Sequence, residues 1–358
     1  MSVDDAKKRP PSFGDYQILG HLGEGGMCHV FRARRKGEQH DVALKLLKEE
    51  RRKDERVLDL FITEADLSLL LHHPNLVETY DAGEVSGRYY IAMELVEGVN
   101  LRELVGLLGA RGLELPPDLA MFVIHELLEG LEAVHAAVSQ AGTPLGLVHR
   151  DVTPHNVFLS FDGRIILGDL GIAHVQAYGD VETSTAMGKL GYLSPEQASG
   201  EVIDARSDLF AVGVMLHELL TGRRLYEGSD ESKLLEEIAE AKAPKLRRLR
   251  PRASAELEDV VDRALARRAR DRFDSAEAFM VALEPCWSTL IGNPRALAGL
   301  MAAMLPDRAQ AFHEARSKNR PVTPAPAQSL PPAPGGAATV SPGRSPSGAG
   351  RSPSTAGR

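Results

Sequence analysis

From Tyr16 to Leu47 apolar and polar positions alternate in short runs punctuated by glycine: Y-Q-I-L-G-H-L, H-V-F-R-A and D-V-A-L-K-L-L. A period of two predicts three half-buried strands. The charged stretch that follows becomes periodic at helical spacing, with Val57, Phe61, Ala65 and Leu69 on one face. It predicts a helix that ends at Pro74 and Asn75. R-Y-Y-I-A-M-E-L-V (88–96) predicts another strand, and Glu97-Gly98 a break. Beyond residue 100 the pattern changes. Pro117 to Val138 carries Phe122, Leu127, Leu131 and Val134 at helical spacing. N-V-F-L-S-F-D-G-R-I-I-L-G-D (156–169) predicts a hairpin turning at Asp162-Gly163, a favoured turn dipeptide. From Ser207 to about Lys318 helix predominates. The expected architecture is α+β, a strand-rich small half followed by a helix-rich large half.

The ends have a different character. Residues 1–15 are polar and charged and predict a loose arm. Residues 321–358 are mostly Pro, Ala, Gly and Ser, with R-S-P-S twice. Such a composition buries too little apolar surface to fold, so a disordered tail is expected.

Composition narrows the function. A chain of 358 residues is ample for a sizeable core, and its net charge of -8 argues against nucleic acid as the main partner. The basic run K-L-R-R-L-R-P-R (245–252) reads as a solvated face. The two cysteines, Cys28 and Cys286, lack CxxC spacing, which fits a reducing compartment without a disulfide or zinc framework. The N-terminus has no apolar leader segment. The most apolar stretch, residues 286–305, is interrupted by Asn293, Pro294 and Arg295, leaving halves too short to span a membrane. A soluble, cytoplasmic protein is expected.

Several short constellations carry candidate chemistry. L-G-E-G-G-M-C-H-V (22–30) lies between two predicted strands, where glycines let backbone amides approach a polyphosphate; alone it reads as a hairpin. V-A-L-K (42–45) ends a strand on Lys45, and a buried Lys45 needs a carboxylate such as Glu64 on the next helix. H-R-D-V-T-P-H-N (149–156) is more specific: Asp151 can accept a hydroxyl proton and Asn156 can offer a neutral oxygen to a hard cation. G-D-L-G (168–171) supplies a second carboxylate, Asp169, which in isolation reads as a turn former. S-P-E (194–196) and S-D-L-F-A-V-G (207–213) by themselves look like loop and helix-start residues.

In series, these pieces form G-x-G-x-x-x-x-V, V-A-L-K, a helix Glu, H-R-D-x-x-x-x-N, D-x-G and x-P-E, the protein-kinase signature set. The chain resembles the eukaryotic-like serine/threonine protein kinases, especially bacterial ones with G-x-G-G-M in the first loop, over about residues 16–285. The resemblance implies a bilobal kinase fold, with an N-lobe over 16–96 and a C-lobe over 97–285. Residues 286–320 remain as a helical extension. It implies ATP with Mg2+ or Mn2+ as cofactors, protein Ser/Thr hydroxyls as substrates, and a transient homodimer for trans-autophosphorylation.

Residue by residue, the resemblance implies that Leu22, Gly23, Gly25, Gly26, Cys28 and Val30 cover the nucleotide. Ala43, Met93, Glu94, Val96 and Phe158 line the adenine pocket and hinge, with Asn100 near the ribose. Lys45 holds phosphates and pairs with Glu64, Asp151 is the catalytic base, and Asn156 with Asp169 holds the metal. Glu196 and Arg272 form a buried ion pair, and Asp208 braces the catalytic loop. Thr183, Ser184 and Thr185 are candidate phosphorylation sites that would pair with Arg150.

Four positions depart from the pattern. Cys28 replaces the third glycine of the loop and is expected to be an accessible thiol. Leu170 replaces the phenylalanine of D-F-G. Thr153 stands where the family places a lysine, and Lys189 stands where a threonine is usual, in M-G-K-L-G-Y-L-S-P-E. The two residue types are exchanged, which predicts that Lys189 brings its ammonium to the site from the opposite wall while Thr153 supplies a hydroxyl contact to Asp151. The alternatives are a pseudokinase acting as a nucleotide-gated scaffold and a small-molecule phosphotransferase. The five core residues weigh against the first, and S-P-E with its arginine partner against the second.

Overall fold

The computed structural model describes residues 12–171 and 188–318. In the N-terminal half, β1 (Ser12–Phe13), β2 (Tyr16–Glu24), β3 (Cys28–Arg35), β4 (Asp41–Leu47), β5 (Thr79–Val85) and β6 (Arg88–Glu94) form one antiparallel sheet in the order β1-β2-β3-β4-β6-β5. The sheet has an apolar layer on each face. Phe13, Tyr16, Val42, Leu44, Leu46 and Tyr90 form one cluster, and Cys28, Leu47, Leu58, Phe61, Ala65 and Ile91 the other. Helix α1 (Glu55–Ser68) covers the second layer, its N-terminus capped by Asp54, which accepts from the Arg56 and Val57 amides.

Two expectations change here, and one strand is new. Ser12 and Phe13, expected in a loose arm, pair with Gln17 and Tyr16, and Phe13 is buried against the Tyr90 ring. Helix α1 stops at Ser68 instead of running to Pro74, because Leu71 and Leu76 turn away to join the larger C-terminal core. β5 lacks a clear apolar alternation. Its Asp81 is buried and accepts from the hydroxyls of Tyr16 (3.1 Å) and Tyr90 (2.9 Å), so tertiary hydrogen bonds hold the strand.

The second half opens with β7 (Gly98–Asn100) and α2 (Leu101–Gly109), then α3 (Pro117–His135) and the hairpin β8 (Val157–Ser160) and β9 (Ile165–Leu167), which pairs with β7. Helices α4 (Pro195–Ala198), α5 (Ala205–Thr221), α6 (Glu231–Glu240), α7 (Leu246–Leu249), α8 (Ala255–Ala264) and α9 (Ala276–Leu283) follow. Helix α5 is buried nearly all round and packs between α3 and α8, which explains its apolar run.

Residues beyond Leu283 are part of this core. In α10 (Pro294–Met304), which packs against α2, Leu297 and Met301 are fully buried in the main apolar cluster. Helix α11 (Pro306–Lys318) anchors on the first strand of the second sheet. Arg308 donates to Glu103 (2.8 Å) and to the Gly98 carbonyl (2.6 Å), and Arg316 pairs with Asp162 (2.5 Å). The expected turn at Asp162-Gly163 is present, with Gly163 at φ +88°; a Cβ there would sit 2.0 Å from the Pro294 carbonyl oxygen. Only glycine lets the extension lie so close. Among the described residues no helix is long and apolar enough to cross a membrane.

Candidate active site

The β2–β3 hairpin closes at its tip with a Gly25 amide bond to the Cys28 carbonyl (2.9 Å). Gly23, Gly25 and Gly26 have ordinary φ, and a Cβ on any of them would meet nothing within 4 Å among the described residues. Among the described residues neither packing nor backbone conformation demands glycine there. Leu22 is exposed at the start of this loop, Val30 is half-buried on β3, and Ala43 lies beside Met93 in the β4–β6 register, with Glu94 and Val96 continuing from it.

Lys45 leaves β4 on the inner side of the hairpin. Its Nζ donates to Glu64 Oε1 (2.6 Å) on α1 and to Asp169 Oδ1 (2.9 Å), 124 positions away. Burial works against the Lys45 charge, yet Asp169 and Glu64 overcome it and hold the ammonium well above its usual range. Burial pushes the Glu64 carboxyl upward, an effect that the Lys45 ammonium offsets only in part. The Lys45 ammonium is thus shared between two carboxylates from distant parts of the chain.

The H-R-D segment is held by Asp208 at the N-terminus of α5. Its carboxylate accepts from the amides of His149 (2.7 Å) and Arg150 (2.8 Å) and from His135 Nε2 (2.8 Å). Arg150 adopts φ +70° and Asp169 φ +50°, two of four non-glycine residues with positive φ among those described. Left-handed backbone at such residues persists only where surrounding contacts over-determine it. His149 Nε2 donates to the Gly168 carbonyl (3.2 Å), and burial keeps its imidazole neutral by lowering the pKa.

Asp151 is buried. It receives the Asn156 Nδ2 amide (2.8 Å) on Oδ2, and the same nitrogen donates to the Asp151 carbonyl (2.9 Å). The Lys189 ammonium reaches Asp151 Oδ2 at 2.7 Å. Gly171 packs directly against this residue: a Cβ would fall 2.5 Å from Asp151 Cβ, so the glycine of D-L-G keeps the two segments in contact. The Thr153 hydroxyl is buried but makes no hydrogen bond among the described residues, so the expected contact to Asp151 is absent.

Glu196 sits in the first turn of α4, where Ser194 and Gln197 form a capping box. Both Glu196 oxygens accept from the Arg272 guanidinium (2.6 and 2.7 Å), and Ser207 Oγ adds a bond of 2.6 Å. Burial alone would raise the Glu196 pKa; the bonds from Arg272 and Ser207 outweigh it and hold the carboxylate below its usual range.

Residues 16–282 match the family described as protein kinase domain. The chain belongs to that family. It is 33% identical to the tyrosine-protein kinase MasK of Myxococcus xanthus, over 76% of this chain and 43% of the relative. It is 34% identical to the serine/threonine-protein kinase PrkC of Bacillus subtilis, over 74% and 39%. With the serine/threonine-protein kinase PknD of Mycobacterium tuberculosis the identity is 31%, over 77% and 40%. The chain thus spans about two fifths of the length of these curated relatives. The crystal structure of the Mycobacterium tuberculosis PknI kinase domain is similar at 28% identity and TM-score 0.59, covering 80% of this chain and 99% of that one.

Within this kinase domain most of the sequence-predicted residues converge. Asn100 uses its side chain as the N-cap of α2, accepting the Glu103 amide at 2.8 Å, and Phe158 lies against Gly168 before Asp169. Leu170 packs against the main core, as an apolar replacement should. Cys28 differs from expectation. Its thiol is buried in the layer beneath α1 with Leu47 and Phe61, and burial pushes its pKa up to about 12. It is a core residue, not an accessible thiol. Thr183, Ser184 and Thr185 lie outside the described residues, as does the tail. His135 and Ser207 are missed by sequence reasoning; a histidine ending a helix and a serine before Asp208 carry no local signal of their tertiary partners.

Proposed function

We propose that this chain is an ATP-dependent serine/threonine protein kinase. The observation that carries the reading is the meeting of Lys45, Glu64 and Asp169 with Asp151, Asn156 and Lys189 around one cleft, close enough for the Asp151 charge to act on Glu64. ATP suits the empty margins of Gly23, Gly25 and Gly26, where loop amides would meet phosphate oxygens, and Lys45, whose ammonium stays charged. A divalent cation suits the donor set: Asn156 commits its nitrogen to Asp151, leaving an amide oxygen, and Asp169 adds a carboxylate. When bound, magnesium or manganese screens the charge on the transferring phosphoryl group.

The remaining work falls to the chain. Asp151 orients the substrate hydroxyl and takes its proton, held in place by Asn156 and by the Asp208-braced backbone. Lys189, 2.7 Å from Asp151, takes the place of the family lysine that Thr153 lacks and aims a positive charge at the transferring phosphate. Arg150 would receive phosphate on Thr183, Ser184 or Thr185, ordering that segment after trans-autophosphorylation in a transient homodimer. Such a switch suits a signalling role.

Transfer from radiolabelled ATP to the chain itself and to a general protein acceptor tests the reading. The wild type is expected to yield phosphoserine and phosphothreonine, with Asp151→Asn slower by about 10²–10⁴-fold. Nucleotide binding without transfer in the wild type would favour the scaffold reading. Phosphotyrosine as the main product would move the chain toward the behaviour named for its Myxococcus relative.

A further inference from the structure

On the outer face of the glycine-loop hairpin His21, Glu24 and His29 come together. One ligand atom from each lies within 4.8 Å of the other two. His29 stands directly opposite Glu24 in the β2–β3 register, and its Nδ1 is 3.2 Å from Glu24 Oε2. His21 and Glu24 are three apart, and in a regular strand that odd spacing would send them to opposite faces. The ladder instead shifts register between His21 and Gly23, so Leu22 is an extra residue and both side chains emerge on one side. His21 then faces Phe31, two residues along β3 from His29, and the Phe31 ring packs against both imidazoles at centroid distances of 5.3 and 6.1 Å. Cys28 occupies the opposite face, inside the apolar layer, so the cluster is separate from the cleft chemistry.

We propose that His21, Glu24 and His29 form a transition-metal site, with zinc or a similar borderline divalent ion as its ligand. Two imidazoles and one carboxylate are a recurrent three-ligand set for zinc, with solvent or a further ligand completing the tetrahedron. At metal–ligand bonds of about 2.0–2.1 Å, ligand atoms of a tetrahedral site stand about 3.3 Å apart. The His29–Glu24 pair already has that separation, and a rotation of the half-free His21 side chain closes the third edge. Mixed nitrogen and oxygen donors also disfavour magnesium, which prefers oxygen ligands and keeps its water. An ion there ties β2 to β3 on either side of Gly25 and Gly26, locking the bulge and restricting the loop between them. This binding claim stands on the hairpin alone and does not depend on phosphotransfer.

Zinc titration of the full chain in excess magnesium tests it, with equilibrium dialysis counting bound zinc and hydrogen exchange reading residues 20–30. Excess magnesium occupies the oxygen-rich cleft, and zinc bound elsewhere is common to all variants. The wild type is expected to bind one equivalent more than His21→Ala, His29→Ala and Glu24→Gln, and zinc should slow exchange across the hairpin only in the wild type. Circular dichroism would establish that these surface variants are folded. Equal zinc stoichiometry and affinity in the wild type and all three variants would overturn the site, as would zinc-independent exchange in the hairpin.

Discussion

Two buried ion pairs in this molecule look alike in sequence and differ in construction. Arg272 gives all five of its N–H donors to partners: two to Glu196 and one each to the carbonyls of Ala266, Arg206 and Arg267. Its guanidinium also lies 4.8 Å from the Phe210 ring centroid. Charge and hydrogen bonds both close, leaving the pair nothing to offer a ligand. Lys45 instead divides one ammonium between Glu64 and Asp169, and burial holds Glu64 above its usual range. In the function proposed above, a divalent cation and the nucleotide phosphates would join that group. A buried pair that is internally saturated is a brace; one whose lysine is shared and whose carboxylate is shifted upward by burial marks a candidate site.

The strongest test of the contrast is stability. Arg272→Met should lower the unfolding free energy by about 3–5 kcal/mol, because it strands Glu196 without its partner. Lys45→Met should lower it less, since Glu64 can take up a proton at modest expense, while abolishing transfer. Equal losses in chemical denaturation would erase the distinction between brace and site.

Next in size is the charge at Lys189. Lys189→Ala should slow transfer by about 10²–10³-fold with ADP affinity unchanged, the effect of removing a donor aimed at developing charge. Thr153→Lys combined with Lys189→Thr should recover much of that rate. An alanine variant at 189 with normal turnover would place the compensating charge elsewhere.

The extension supplies a smaller effect. Arg308 is half-exposed, so Arg308→Ala should cost no more than about 1 kcal/mol. Its readout is local: faster hydrogen exchange at β7, where Arg308 holds the Gly98 carbonyl. Unchanged exchange there would reduce the arginine to surface decoration.

The acid limb of stability separates the two pairs most finely. Glu196 has a folded pKa below its usual value, so its contribution is full above the unfolded value of 4.5 and is lost as pH falls through the folded one. Glu64 is shifted the other way, so its contribution is full below that value and declines as pH rises through the folded one. In melting curves across acidic pH, Glu196→Gln should flatten the acid limb and Glu64→Gln should not.

How far the sequence could be read depended on the range of the interactions. The strands of β2 to β4, the hairpin at Asp162-Gly163 and the helix under Pro117 to Val138 announce themselves through periodicity, because each side chain's burial repeats with the local geometry. Lys45, Glu64, Asp151, Asn156 and Asp169 were legible through spacing within short segments, and their assembly followed from a family resemblance. Periodicity also named Phe61 and Ala65 as buried, yet it overran the end of α1, since Leu71 and Leu76 leave it for a core built mainly from residues much further along the chain.

By itself, then, the sequence determined the elements, the order of the two halves and the residue types available for chemistry, all of which are local properties of the chain. Tertiary structure alone decided that Cys28 faces inward with a thiol pKa of about 12, that His135 joins Asp208, and that residues 294–318 complete the core. It also decided that one extra residue at Leu22 turns His21 and Glu24 to a common face. Each of these depends on which distant surface a side chain meets. That is set by the packing of whole elements against one another, and no window along the chain contains both partners.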